Sequence, residues 1–176
     1  MLLLDRNVLP DWGGSDYGDF ERLGFWLEDH PDEPGYEAEV GSSTGLVWEL
    51  GGAGTADVFH AEPDRLLLVR AWVPDDDESL VLDAAARPSP AGGTAFGGLT
   101  VESGLVMVFW PVDRGAEIDV PADPSDGERL EMPSIDGTGI VVKLPPGRYA
   151  AWHDEFEAHR FSARRCCLLP DGTSPG

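Results

Sequence analysis

The run Arg65-Leu66-Leu67-Leu68-Val69-Arg70-Ala71-Trp72-Val73 constrains the fold more than any other stretch of the chain. It is nearly continuous in apolar side chains, stops at Pro74, and reads as a strand buried on both faces or nearly so. Shorter strand-like runs recur at Leu2 to Leu4, Gly45 to Leu50, Ala56 to His60, Ala116 to Val120 and Phe161 to Leu169. Two further pairs read as hairpins. Leu99 to Glu102 and Gly104 to Trp110 flank Ser103-Gly104, and Gly139 to Leu144 and Arg148 to His153 flank Pro145-Pro146-Gly147, the clearest hairpin of the chain. The 22 Gly and 15 Pro favour many turns and short elements over long helices.

About eight to ten short strands with turn signals between them predict a mainly β fold, an antiparallel β-sandwich or partly open barrel with one or two short helices. Phe20 to Leu27 is one such helix. Ser79 to Ala86 stays open, because acids at its start favour a helix while Leu80-Val81-Leu82 favours a strand. Pro88 to Gly98 and the polar stretch Pro121 to Ser134 read as loops within one domain spanning residues 1–170, with Asp171 to Gly176 as a disordered tail. At 176 residues the chain has one domain's worth of core, and no internal repeat is visible.

Charge narrows the function. Thirty-three acidic residues against 12 basic ones give a formal charge of −21, which repels phosphate backbones and anionic membrane surfaces, so neither nucleic acid nor a membrane is an expected partner. A cationic protein is the natural complement. The charge is concentrated: residues 11–39 hold ten acids against the single Arg22, and Asp75-Asp76-Asp77-Glu78 is a second block. Trp12, Tyr17, Phe20, Phe25 and Trp26 keep the first segment from being a disordered tail. Asp11, Trp12, Asp16, Tyr17 and Asp19, with Asp75, Asp76, Asp77 and Glu78, are therefore the expected partner-binding residues. Trp12 among carboxylates has the composition of an interface anchor, and packing onto a sheet edge accounts for it equally well.

Other chemistry finds little support. There is no Gly-x-Ser-x-Gly elbow, and Cys166 and Cys167, the only cysteines, point to opposite faces of a strand. His153-Asp154-Glu155 with His159 is the best metal or acid–base candidate, but its spacing matches no standard site and a charged strand end explains it. The acidic block lacks the alternating ligands and central Gly of a calcium loop, and Gly51-Gly52-Ala53-Gly54 lacks the Lys-Ser/Thr of a phosphate cradle. No cofactor, metal or enzymatic activity is expected. Met1 to Leu4 has neither the basic start nor the apolar length of a signal peptide, so a cytoplasmic location is expected.

Val8-Leu9-Pro10-Asp11-Trp12-Gly13-Gly14 with Asp16-Tyr17, followed by the Leu66-to-Trp72 strand leading into an acidic turn, resembles the immunity-protein family numbered 21 of bacterial polymorphic toxin systems. Gly104 to Phe109 and Leu144-Pro145-Pro146-Gly147-Arg148-Tyr149 are similar to that family's later strands. The last motif also resembles a family of competence-related nuclease inhibitors. The resemblance implies an antitoxin that binds a cognate toxin domain and blocks its active site or substrate path, with no reaction of its own. A nuclease-like toxin needs a basic cleft, and an acidic protein can occupy such a cleft in place of phosphate. Two other readings stand beside it: a small-molecule-binding or metal-dependent enzymatic β-barrel with its site near His153, and a scaffold that uses the same acidic surface for weaker contacts.

Overall fold

A computed structural model describes residues 1–49, 56–62, 64–73, 77–87, 93–122, 124–125, 127–131 and 138–173. Among the described residues eleven strands, β1 (Leu2–Asp5), β2 (Gly35–Val40), β3 (Ser43–Trp48), β4 (Asp57–Glu62), β5 (Arg65–Trp72), β6 (Thr94–Val101), β7 (Leu105–Phe109), β8 (Glu128–Glu131), β9 (Thr138–Lys143), β10 (Gly147–Glu157) and β11 (Ser162–Pro170), accompany two helices, α1 (Asp19–Asp29) and α2 (Glu78–Ala86). The strands form two antiparallel sheets packed face to face. The first has the order β2-β3-β1-β7-β9-β8 and the second β4-β5-β11-β10-β6.

Strand alternation explains the unbroken apolar runs. In the first sheet Leu3, Leu46, Trp48, Val106, Val108 and Val142 face the second sheet, and they meet Leu66, Leu68, Leu99, Ala151, Cys166 and Leu168 from it. The intervening Leu2, Leu4, Val47, Met107, Phe109 and Val141 face outward, under Leu9, Trp12, Leu23 and Ile118. On the far side, Val69 and Ala163 of the second sheet are covered by Leu80 and Ala84 of α2. A strand with both faces covered needs apolar residues at successive positions rather than every second one. The molecule is thus layered as α1 with its flanking turns, first sheet, second sheet, α2.

Ser79 to Ala86 is resolved as helix. Asp77 caps it, its carboxylate accepting the Ser79 N–H at 3.1 Å, and this satisfies a donor that a strand would leave to a neighbour. α1 forms because Leu23 is buried while Phe20, Trp26 and Leu27 half-bury on the same side. Trp26 stacks on Tyr36 of β2 with ring centroids 3.8 Å apart.

Both expected hairpins are instead crossings between sheets. β6 pairs with β10 while β7 pairs with β1 and β9. The Asp5 carboxylate, 1% exposed, accepts the N–H groups of Glu102 and Ser103 at 2.8 and 2.9 Å and so turns the chain out of the second sheet. β9 and β10 likewise lie in different sheets. The Tyr149 hydroxyl donates to the Pro145 carbonyl at 2.7 Å across that corner, where two prolines supply no N–H for a hairpin ladder.

Other expectations are corrected, among them the loop Pro88 to Gly98, whose residues from Thr94 on begin β6. Ala116 to Val120 is not a strand: Gly115 to Glu117 form a 3₁₀ turn, and Ile118 is buried over the first sheet. That turn sits so close to the neighbouring 3₁₀ turn at Leu9 to Asp11 that a Cβ on Gly115 would lie 1.6 Å from the Leu9 carbonyl oxygen. Within Pro121 to Ser134, Glu128 to Glu131 form β8 along the edge of β9. The acidic segment ends in edge strand β2, where Ala38 and Val40 face the core and Glu37 and Glu39 are exposed. Residues 51–55 lie outside the described residues. Of the expected tail, Asp171 to Thr173 form a turn whose Asp171 N–H donates to the Arg148 carbonyl at 2.9 Å, and residues 174–176 lie outside the described residues. No described helix is long and apolar enough to cross a membrane.

Candidate functional site

The expected binding residues divide between opposite sides of the sandwich. Asp11, Asp16, Tyr17 and Asp19 lie on or beside the layer over the first sheet, whereas Asp77 and Glu78 start the helix over the second. Stacked sheets stand about 10 Å apart and a covering helix adds about 10 Å on each side, so one flat interface does not reach both. Asp75 and Asp76 lie outside the described residues. Asp77 is committed to its own helix. It accepts from the Ser79 N–H and hydroxyl and pairs with Arg160 at 3.3 Å, and these bonds, Ser79's first, hold its carboxyl below the usual range.

Around α1 the residues serve different ends. Trp12 is 2% exposed and anchors the outer core, so it offers no interface area and the hot-spot expectation for it is corrected. Asp19 accepts the Gly13 N–H at 2.7 Å and pairs with Arg22, holding the loop at the start of the helix. Asp11 and Asp16 are exposed. Tyr17 is 68% exposed, with the Arg114 guanidinium 4.8 Å from its ring centroid.

Farther along α1 lie residues that composition alone does not single out. Glu21, Phe25, Glu28 and Asp29 occupy its solvent face at the i, i+4, i+7 and i+8 positions, and Phe25 is 66% exposed. Helical spacing, applied to the polar face as well as the apolar one, is the signal that finds them. The face continues into Asp32 and Glu33, both exposed. Over residues 11–39 nine of the ten carboxylates are exposed, all but Asp19, and the one cation, Arg22, is paired with that exception.

Beside this face a groove of about 500 Å³ runs between the loop Pro31 to Pro34 and the end of the second sheet, where His153, Glu155 and Arg164 line it. His153 accepts at Nδ1 the indole N–H of Trp48, at 3.2 Å, which places its own proton on Nε2 when neutral. Burial, assisted by Arg164, lowers its pKa. Glu155 pairs with Arg164 at 3.1 Å. Asp154 points to the other face of β10 and is held by Arg165 through two contacts of 2.7 Å, while His159 is exposed in the turn after β10. The four residues therefore do not converge, and among the described residues no three His, Cys, Asp or Glu side chains are placed to hold a metal ion.

Fold and surface together define an antiparallel two-sheet β protein with an acidic, aromatic-bearing helix on one outer face. Compared with protein-family models, curated proteins and solved structures, the chain finds no match.

Proposed function

We propose that this chain is a toxin-neutralising immunity protein that acts in the cytoplasm, carries out no reaction of its own, and uses the acidic surface around α1 to block a basic, nuclease-like toxin domain. One observation carries the reading: nine exposed carboxylates over residues 11–39, accompanied by the exposed rings of Tyr17 and Phe25, with the only cation of that segment, Arg22, already paired. Acidic residues alone keep a protein soluble. Exposed aromatic side chains among them add what a binding surface needs, large apolar contact area within a rim of charge. The resemblance to the immunity family supports the same reading. Because Asp77 serves as a helix cap on the opposite side of the sandwich, we take the α1 surface as the principal contact.

The test is growth rescue. A toxin domain encoded beside this chain is expressed with and without it, and the purified pair is titrated at several salt concentrations. The reading expects restored growth, a one-to-one complex and affinity that falls as salt rises. Growth arrest that this chain leaves unrelieved, with no complex at low salt, overturns it.

A further inference from the structure

We infer that the partner seats directly on Phe25, at the middle of the solvent face of α1, and on Gly24 at the edge of that face, and that this face is built for a cationic protein surface rather than for the stability of the helix. The inference rests on the binding function proposed above and specifies where the contact is made.

Judged as a helix, α1 has three unfavourable features, and its own fold answers only part of the last, where the ring and N–H of His30 both bond the Trp26 carbonyl at the C-terminus. Gly24 is the first. Glycine is the poorest helix former after proline, and helices keep it where something approaches closely. Yet a Cβ at Gly24 would meet nothing within 4 Å, and its φ is not in the left-handed region. The molecule itself gives no reason for the missing side chain. Phe25 is the second, a large apolar ring left 66% exposed next to that notch. The last turn is the third. Glu28 and Asp29 stand at the negative end of the helix dipole, and no basic residue is present in that turn.

Phe25, Glu28 and Asp29 lie on the side of α1 turned away from Leu23, the residue that buries it, and Gly24, about 100° around the helix from Leu23, is exposed at the edge of that side. Local rules broken together on one exposed face mark a functional surface, because interactions outside the fold must compensate for them. A single type of occupant answers all three. An approaching protein backbone or flat side chain needs the space at Gly24, apolar area covers Phe25, and Lys or Arg side chains satisfy Glu21, Glu28 and Asp29 together with the helix terminus. A second copy of this chain would bring the same carboxylates against one another, so like-charge repulsion disfavours self-association through this face.

The test uses the neighbouring toxin domain, inactivated at its active site, titrated against the full chain and three variants: Gly24→Ala, Phe25→Ala and Leu82→Ala. Leu82 is 59% exposed on α2, across the sandwich, and is the control. Gly24→Ala is expected to raise the melting temperature by about 2–4 °C and yet to weaken binding at least about tenfold, as a truncated or obstructed hot spot does. Phe25→Ala should weaken binding comparably, with Leu82→Ala binding as the parent does. A stabilised Gly24→Ala or a folded Phe25→Ala that binds like the parent overturns the inference while leaving the binding function intact. A parent chain that forms no complex overturns both.

Discussion

Asp5 and Ser103, 98 positions apart in the chain, meet in one buried contact: Oδ2 of Asp5 accepts both the N–H and the hydroxyl of Ser103, at 2.9 and 2.8 Å. The same carboxylate takes the N–H groups of Glu102 and Asn7. It therefore ties the end of β1 to the corner at which the chain leaves one sheet for the other.

Replacing Asp5 by Ala strands those donors in a buried corner. The expected loss is on the order of 3 kcal/mol, since each unsatisfied buried donor costs about 1–3 kcal/mol. Asp5→Asn keeps one acceptor oxygen and should lose less. Urea unfolding of the two variants checks the ranking, and equal stability of Asp5→Ala and the parent would show that the corner is held by packing alone.

Arg165 joins the second sheet to α2. Its guanidinium binds Asp154 and also donates to the carbonyls of Ala84 and Arg87, at 3.1 and 2.6 Å, at the end of the helix. Asp154→Ala leaves a buried cation unpaired and is expected to cost about 3–5 kcal/mol. Arg165→Met combined with Asp154→Leu should recover much of that. The same double variant should still speed hydrogen exchange in the last turn of α2, because the carbonyls there lose their donor.

His153 makes stability depend on pH. Burial places its folded-state pKa below that of the unfolded chain, so on acidification the unfolded state takes up the proton first. Its contribution is complete above about pH 6.5 and declines as pH falls below that value. Comparing urea midpoints at pH 7.5 and 5.0 in the parent and in His153→Gln, whose amide oxygen can still accept from Trp48, should show a smaller drop in the variant. An identical drop would assign the acid sensitivity to the carboxylates.

Tyr36 acts at the other end of the scale. Burial, the larger effect, pushes its hydroxyl up to about 12, so between about pH 10 and that value the folded state holds the proton more tightly than the unfolded chain does. The stability this contributes is full below about pH 10 and is lost as pH rises through the window. Tyr36→Phe, which keeps the stack on Trp26, should flatten that alkaline decline in a pH-dependent unfolding series.

The strands were legible in the sequence, but their pairing was not. β5, β10 and β11 fall close to where apolar runs and turn residues place them. The two apparent hairpins mislead because β7, β9 and β10 carry apolar residues on both faces, so local pattern does not say which sheet they join. The choice is made by Asp5 and by the Tyr149 hydroxyl, long-range or corner contacts with no local signature. In β2, the alternation of Tyr36, Ala38 and Val40 with Glu37 and Glu39 is a strand signal masked by the acidity of its surroundings. At the site, composition locates the acidic segment but does not order it. A Trp among carboxylates reads alike whether it faces solvent or core, and Trp12 proves to be core. That Asp77 and Glu78 lie across the sandwich from the α1 segment follows from layering, which no local pattern encodes.

The position of β1 has a consequence for the order in which the molecule assembles. Leu2 and Leu3 lie between Val47 and Leu46 on one side and Phe109 and Val108 on the other. β1 is therefore flanked on both sides only when chain more than a hundred residues farther on has left the ribosome. Until β7 arrives, Leu2 to Leu4 remain an apolar strand with one open edge, the kind of segment that chaperones hold and that pairs with wrong neighbours. Folding of the first sheet is thus a late, cooperative event, and slow synthesis before residue 109 lengthens the period in which the chain is open to aggregation.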